Sequence, residues 1–139
     1  MAAWIDGLLD TAFPASFYSD RIGSAYDGDL RIEQGLSAEA TDRLPDAYYD
    51  VIYIDAGHSY EDVIRDARVS LKKVKPGGYI VFNDYLMMDH AYGTPYGVVK
   101  AANELITESD RLKVIGLGLN CQMYCDLAVK VHGPYPTSE

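Results

Sequence analysis

Two short hydrophobic runs constrain this chain more than anything else in it. Asp50 to Asp55 reads DVIYID and Tyr79 to Phe82 reads YIVF, and neither alternates apolar with polar residues. A β-branched and aromatic run without alternation is the pattern of a strand covered on both faces, as in a parallel sheet. Between the runs, Val63, Ile64, Ala67, Leu71 and Val74 recur at helical spacing behind a Ser59/Asp62 capping box. Lys72, Lys73 and Lys75 gather where the C-terminal end of the helix dipole favours cations, and Pro76-Gly77-Gly78 stops the helix and turns the chain. One crossover helix between two strands predicts that the strands are parallel neighbours.

The remaining segments extend this pattern. Leu30 to Gln34 reads as a short strand, and Ala38 to Leu44 as a helix capped by Ser37. Thr94-Pro95 supplies an N-cap and an N1 proline for a helix carrying Val98, Ala102, Leu105 and Ile106. Leu112 to Leu117 and Met123 to Val131 are too close in sequence for a helical crossover and read as an antiparallel hairpin. Residues 1–28 are the least readable part: Trp4, Ile5, Leu8 and Leu9 suit a helix face or a strand, and Phe17, Tyr18, Ile22 and Tyr26 predict a helix near 15–26. The order is βαβαβα followed by ββ, an open α/β sheet, mostly parallel, with an antiparallel strand at its edge. With no repeat or linker, residues 1–139 form one domain.

Charge narrows the partners. Twelve Lys and Arg against twenty-one Asp and Glu give −9, so the average field repels nucleic-acid phosphates and anionic membranes, leaving a small molecule or a protein as partner. No run reaches the roughly 18 apolar residues of a membrane span, and MAAWIDGLLD lacks a basic signal-peptide start, so the expected compartment is the cytoplasm. Cys121 and Cys125 are too few for a disulfide framework or a structural zinc site and read as buried thiols.

In open α/β sheets, ligands bind beyond the carboxyl ends of the strands. Asp55-Ala56-Gly57-His58-Ser59-Tyr60 follows the first run, and Asn83-Asp84-Tyr85 follows the second. With parallel neighbours, Asp55, Asn83 and Asp84 fall at one edge, where hard oxygen ligands could hold a magnesium-like ion. The plainer alternative is that both acids cap loops or helix starts. His58 suits a general base, a metal ligand or a loop-ordering residue. His90, Tyr85, Tyr92 and Tyr96 follow the second strand and could line a substrate pocket or simply pack.

Taken together, DVIYIDAGHSYEDVIRDARVSLKKVKPGGYIVFNDY resembles the fourth strand, fourth helix and fifth strand of class I S-adenosylmethionine-dependent methyltransferases, in particular the subgroup with an acidic-Gly-His-Ser-Tyr turn. The likeness runs from about Asp29 to Val131. It implies a Rossmann-like methyltransferase sheet and transfer of a methyl group from S-adenosyl-L-methionine, to an oxygen of a small-molecule acceptor, with His58 and Asp55 as catalytic residues. Gly35, Leu36 and Ser37 would then lie near the cofactor adenine, with Asp55 also at the cofactor. Some related O-methyltransferases hold a divalent metal at the positions of Asp55, Asn83 and Asp84, which implies Mg2+ as a second group.

The chain departs from that pattern at its start. The family opens with a strand and a Gly-x-Gly-like loop, and no such loop stands before Asp29; Gly7 and Gly23 are isolated. Only Asp6 or Asp10 could serve as the ribose-binding acid, and Asp10 is taken as the candidate. The family's strand order, 3-2-1-4-5-7-6, would leave the edge of DVIYID unpaired without the first strand. The expectation is a truncated or shortened domain, with N-terminal strands missing or replaced and its edge satisfied by the N-terminal segment or by a second copy in a homodimer. The alternative function is a non-catalytic methyltransferase-like domain acting as an interaction or oligomerisation module.

Overall fold

The computed structural model describes residues 3–4, 28, 30–119 and 125–133. Asp6, Asp10, Cys121 and the helix expected near 15–26 lie outside them. Along the chain run β1 (Ala3–Trp4), β2 (Leu30–Arg31), α1 (Ser37–Asp42), β3 (Tyr49–Ile54), α2 (Tyr60–Lys73), β4 (Val74–Phe82), β5 (Met88–Asp89), β6 (Thr94–Pro95), α3 (Val98–Glu108), β7 (Leu112–Leu119) and β8 (Cys125–Val131). The main sheet has the order β3-β4-β8-β7, and β1 pairs separately with β2 in parallel. β3 and β4 are parallel; β8 runs antiparallel to both β4 and β7. The class is mixed α/β, with parallel strands leading and the expected antiparallel C-terminal hairpin closing the sheet.

The core lies between the sheet and the helices. Ile52 and Ile54 of β3, Ile80 and Phe82 of β4, and Leu127, Val129 and Val131 of β8 point to one face and are buried against Val63, Ile64, Ala67 and Leu71 of α2 and Val98, Ala101, Ala102 and Leu105 of α3. Each of the larger of these side chains, the valines, leucines, isoleucines and phenylalanine, contributes about 1.5–3 kcal/mol when fully removed from water. The opposite face of β3 differs from expectation. Val51 and Tyr53 are 54% and 44% exposed, so DVIYID is covered on one side only, because both helices pack on the Ile52/Ile54 side.

Helix boundaries follow local chemistry. At the start of α2 the Ser59 hydroxyl accepts from the Asp62 backbone N–H at 3.2 Å and donates to the Asp62 carboxylate at 2.6 Å, the expected capping pair. The helix passes directly into β4 at Val74, and the register jumps from Tyr49↔Val74 to Val51↔Tyr79, so residues 75–78 bulge out around Gly77 at φ 86°. Lys73 is buried and anchors the segment after α1, donating to the Asp42 carbonyl at 2.9 Å and pairing with Asp46 at 2.7 Å.

Two expected helix starts are corrected. Ser37 is the first residue of α1, not its cap: Leu36 holds the cap position without a side-chain bond, and the Ser37 hydroxyl donates instead to the Asp66 carboxylate of α2 at 2.7 and 2.8 Å. Thr94-Pro95 does not open α3 but forms β6, paired antiparallel with β5. The cap of α3 is Gly97, whose N–H donates to the His58 carbonyl at 2.8 Å. A Cβ at Gly97 would stand 2.1 Å from the Tyr60 backbone nitrogen. Close approach of the two helix starts therefore decides where α3 begins, and only glycine permits it.

Candidate active site

The β3/β4 register sets the site. Ile52 faces Ile80 and Ile54 faces Phe82, and the Asn83 N–H donates to the Ile54 carbonyl at 3.0 Å. The residues after both strands, Asp55 and Asn83-Asp84, therefore emerge side by side, as the parallel reading required. His58, at the turn into α2, meets both acids. Its Nε2 lies 3.4 Å from Asp84 Oδ2 and 3.9 Å from Asp55 Oδ1.

These three side chains sit in different surroundings. Asp84 is mostly buried, with 13% of its side chain exposed, whereas Asp55 is 55% exposed. Burial holds the Asp84 carboxyl above the ordinary carboxylate range; the charges of Asp55 and Asp126 push the same way, and His58 opposes them. The His58 ring stacks on Tyr96, with centroids 4.4 Å apart and planes inclined by 21°. His58 Nε2 and Asp84 Oδ1 are buried and have no hydrogen-bond partner among the described residues, since the contact to Asp84 has ion-pair distance without hydrogen-bond geometry. Buried polar atoms are nearly always paired, so these two orphans, on side chains 3.4 Å apart, leave capacity for a further partner.

Beside these residues stands a network that sequence reasoning missed. The Tyr53 hydroxyl donates to Asp126 Oδ2 at 2.9 Å, and Asn83 Nδ2 donates to the Tyr53 oxygen at 2.8 Å and to Asp126 Oδ1 at 3.2 Å. Burial first, and the bond to Asp126 second, push the Tyr53 phenol up to about 12. The available signal was Asp126, a charged residue inside the alternating strand CDLAVKV. Of the loop residues, Tyr85 and Tyr96 pack against the core, Tyr92 is 82% exposed, and His90 is exposed.

The expected metal set is not assembled. Among the described residues no three His, Cys, Asp or Glu side chains converge as a cation cage requires. Asp84 faces His58, Asp55 opens to solvent, and the Asn83 amide is drawn to Tyr53 and Asp126. The donor set present does not fit a bound divalent cation.

A family model described as a methyltransferase domain matches residues 4–85, more than half of the chain. This chain belongs to the methyltransferase-domain family. An uncharacterized protein of Acanthamoeba polyphaga mimivirus is 37% identical over 67 residues, which span 48% of this chain and 28% of that protein. A provisionally assigned O-methyltransferase from Klebsiella pneumoniae superposes with a TM-score of 0.65 at 14% identity, covering 95% of this chain and 61% of that one. A cofactor-bound protein from MTB superposes with a TM-score of 0.60 at 16% identity over 87% of this chain and 56% of its own. The chain thus spans less than two-thirds of each of these relatives, and the two superpositions, at 14% and 16% identity, show the fold alone.

Within this methyltransferase domain, the residues expected at a cofactor differ in their surroundings. Gly35, at φ 140°, has open space where a Cβ would stand, and Leu36 is 67% exposed. The Ser37 hydroxyl, committed to Asp66, is not free to donate. Asp55, open to solvent at the end of β3, is accessible.

Proposed function

We propose that this methyltransferase domain transfers a methyl group from S-adenosyl-L-methionine to an oxygen of a small molecule, with His58 as the base. The observation that carries the reading is His58 Nε2, buried and without a hydrogen-bond partner between Asp55 and Asp84 at the ends of two parallel strands. When bound, S-adenosyl-L-methionine supplies an electrophilic methyl group on a sulfonium. His58 Nε2 takes the proton of the acceptor hydroxyl, and Asp84 at 3.4 Å stabilises the imidazolium that results. Stacking on Tyr96 fixes the ring plane, and the bond from Gly97 N–H to the His58 carbonyl fixes the backbone beneath it. Holding the acceptor oxygen in line with the methyl group supplies much of the rate. Gly35 and Leu36 offer the surface for the adenine. The charge of −9 argues against nucleic acid and membrane as partners, and the proposed setting is the cytoplasm. Calorimetry tests the reading: cofactor binds the chain, and Asp55→Ala weakens it, whereas no heat at millimolar cofactor defeats it.

A second reading, a non-catalytic module that pairs with another copy of itself, is favoured by one observation. Val114, Ile115, Leu117 and Leu119 on the edge strand β7 are 50%, 54%, 53% and 78% exposed, and exposed apolar edges invite pairing. Analytical ultracentrifugation separates the two readings, since a monomer at all concentrations removes the second.

A further inference from the structure

Asp84 holds a backbone conformation that few non-glycine residues adopt, with φ at 53°. Aspartate enters the left-handed region more readily than most residues, but a single conformation there is held by what surrounds it. The surroundings here come from three neighbouring strands. Tyr53 from β3, Asn83 at the end of β4 and Asp126 from β8 close a ring of hydrogen bonds. The Asp84 N–H itself donates to Asp126 Oδ1 at 3.4 Å, joining the strained residue to the ring.

We propose that Tyr53, Asn83 and Asp126 act as a positioning network that holds Asp84 in its left-handed conformation, so that its carboxylate faces His58. Each member suits the task chemically. Asp126 offers one carboxylate oxygen to Asn83 and Asp84 and the other to Tyr53. The Asn83 amide bonds both Tyr53 and Asp126 and adds no charge beside the Asp126 carboxylate; an acid at that position would face Asp126 at about hydrogen-bond distance and be repelled. The Tyr53 phenol, pushed up to about 12, keeps its proton and remains a donor throughout the neutral range. The catalytic consequence rests on the methyl-transfer reading; the conformational one does not.

The test uses the full chain and NMR. The sign of φ at Asp84 is read from its Cα and Cβ shifts and its HN–Hα coupling, and the contact with His58 from the nuclear Overhauser effect between the imidazole and the Asp84 side chain. In Asp126→Ala the left-handed signature and the His58 contact are lost, and in Tyr53→Phe the contact weakens. Asp126→Asn, which keeps an acceptor for the Asp84 N–H, retains both. Should Asp126→Ala fail to fold, Tyr53→Phe decides alone. An Asp84 unmoved in folded Asp126→Ala and Tyr53→Phe overturns the proposal, as does lowered melting of Asp126→Ala and Asp126→Asn with no change at Asp84. Movement of Asp84 in a chain that never binds cofactor upholds the network and defeats only the catalytic reading.

Discussion

His58 Nε2 stands 3.4 Å from Asp84 Oδ2 and 3.9 Å from Asp55 Oδ1, so a single imidazole joins the acids that end two adjacent parallel strands. Replacing it separates chemistry from binding. His58→Ala is expected to lower methyl transfer about 10²–10⁴-fold, the usual contribution of a positioned base, while leaving cofactor affinity unchanged. The measurements are release of S-adenosylhomocysteine with hydroxylated acceptors at saturating cofactor, and calorimetry. Parallel loss of cofactor binding would remove the base assignment.

Asp84→Asn removes a charge without disturbing the backbone, because asparagine tolerates the left-handed region well. The wild-type carboxyl is raised by burial, so its favourable contribution to folding is complete below the ordinary carboxylate value of 3.8 and is lost as pH rises through its folded value. The variant escapes that loss. Its stability relative to wild type therefore increases as pH rises through this window toward neutrality, and urea melts at several pH values will show a gap that opens in that direction. A constant gap contradicts the burial argument.

Ser37→Ala withdraws the hydroxyl that donates to both oxygens of Asp66, a carboxylate that is 6% exposed. The carboxylate keeps a backbone hydrogen bond from Ala38, and losing the Ser37 bond costs about 1 kcal/mol at neutral pH. Burial already raises Asp66 and the Ser37 bond opposes the shift, so the variant raises it further. The cost is then small where Asp66 is protonated and grows as pH rises through its wild-type value. Equal melting of the two proteins at pH 7 would show that the bond contributes nothing.

Gly97→Ala forces a methyl group to within 2.1 Å of the Tyr60 backbone nitrogen, where no flexible side chain can yield. The starts of α2 and α3 must separate, at a cost of about 1–3 kcal/mol or more, with His58 disturbed through its carbonyl bond to Gly97. Thermal melting and the His58 ring resonances should both change. Melting within a degree of wild type rules out the packing described for this junction.

If β7 pairs with a second copy, Ile115→Lys combined with Leu117→Lys abolishes self-association without lowering the melting temperature, because both side chains are already half exposed. Sedimentation velocity on wild type and variant reads this directly, and identical profiles dispose of the edge.

Much of this architecture was legible because the controlling forces were local. DVIYID and YIVF could only be strands, Ser59 and Asp62 announced the start of α2, and the spacing between Leu117 and Met123 ruled out a crossover. Those features place Asp55, Asn83 and Asp84 at one edge, with His58 three residues after Asp55; the contact of His58 with Asp84 is visible only in the fold. What escaped was tertiary. Thr94-Pro95 carries the letters of a helix start, yet α3 opens at the position where glycine lets two backbones touch. Tyr53 read as one more buried strand residue, but it lies on the face away from the helices and bonds to Asp126, 73 positions later. No short-range pattern encodes that distance.

The hairpin's placement has a consequence for biogenesis. β8, the last strand described, lies inside the sheet between β4 and β7, and it carries Asp126. A ribosome emitting this polypeptide from its N-terminus releases β3, α2, β4 and α3 before the strand that covers the flank of β4. Until β8 is made, the backbone groups of Ile80 to Phe82 on that side lack a partner strand, and a chain terminated upstream carries an open edge that invites aggregation.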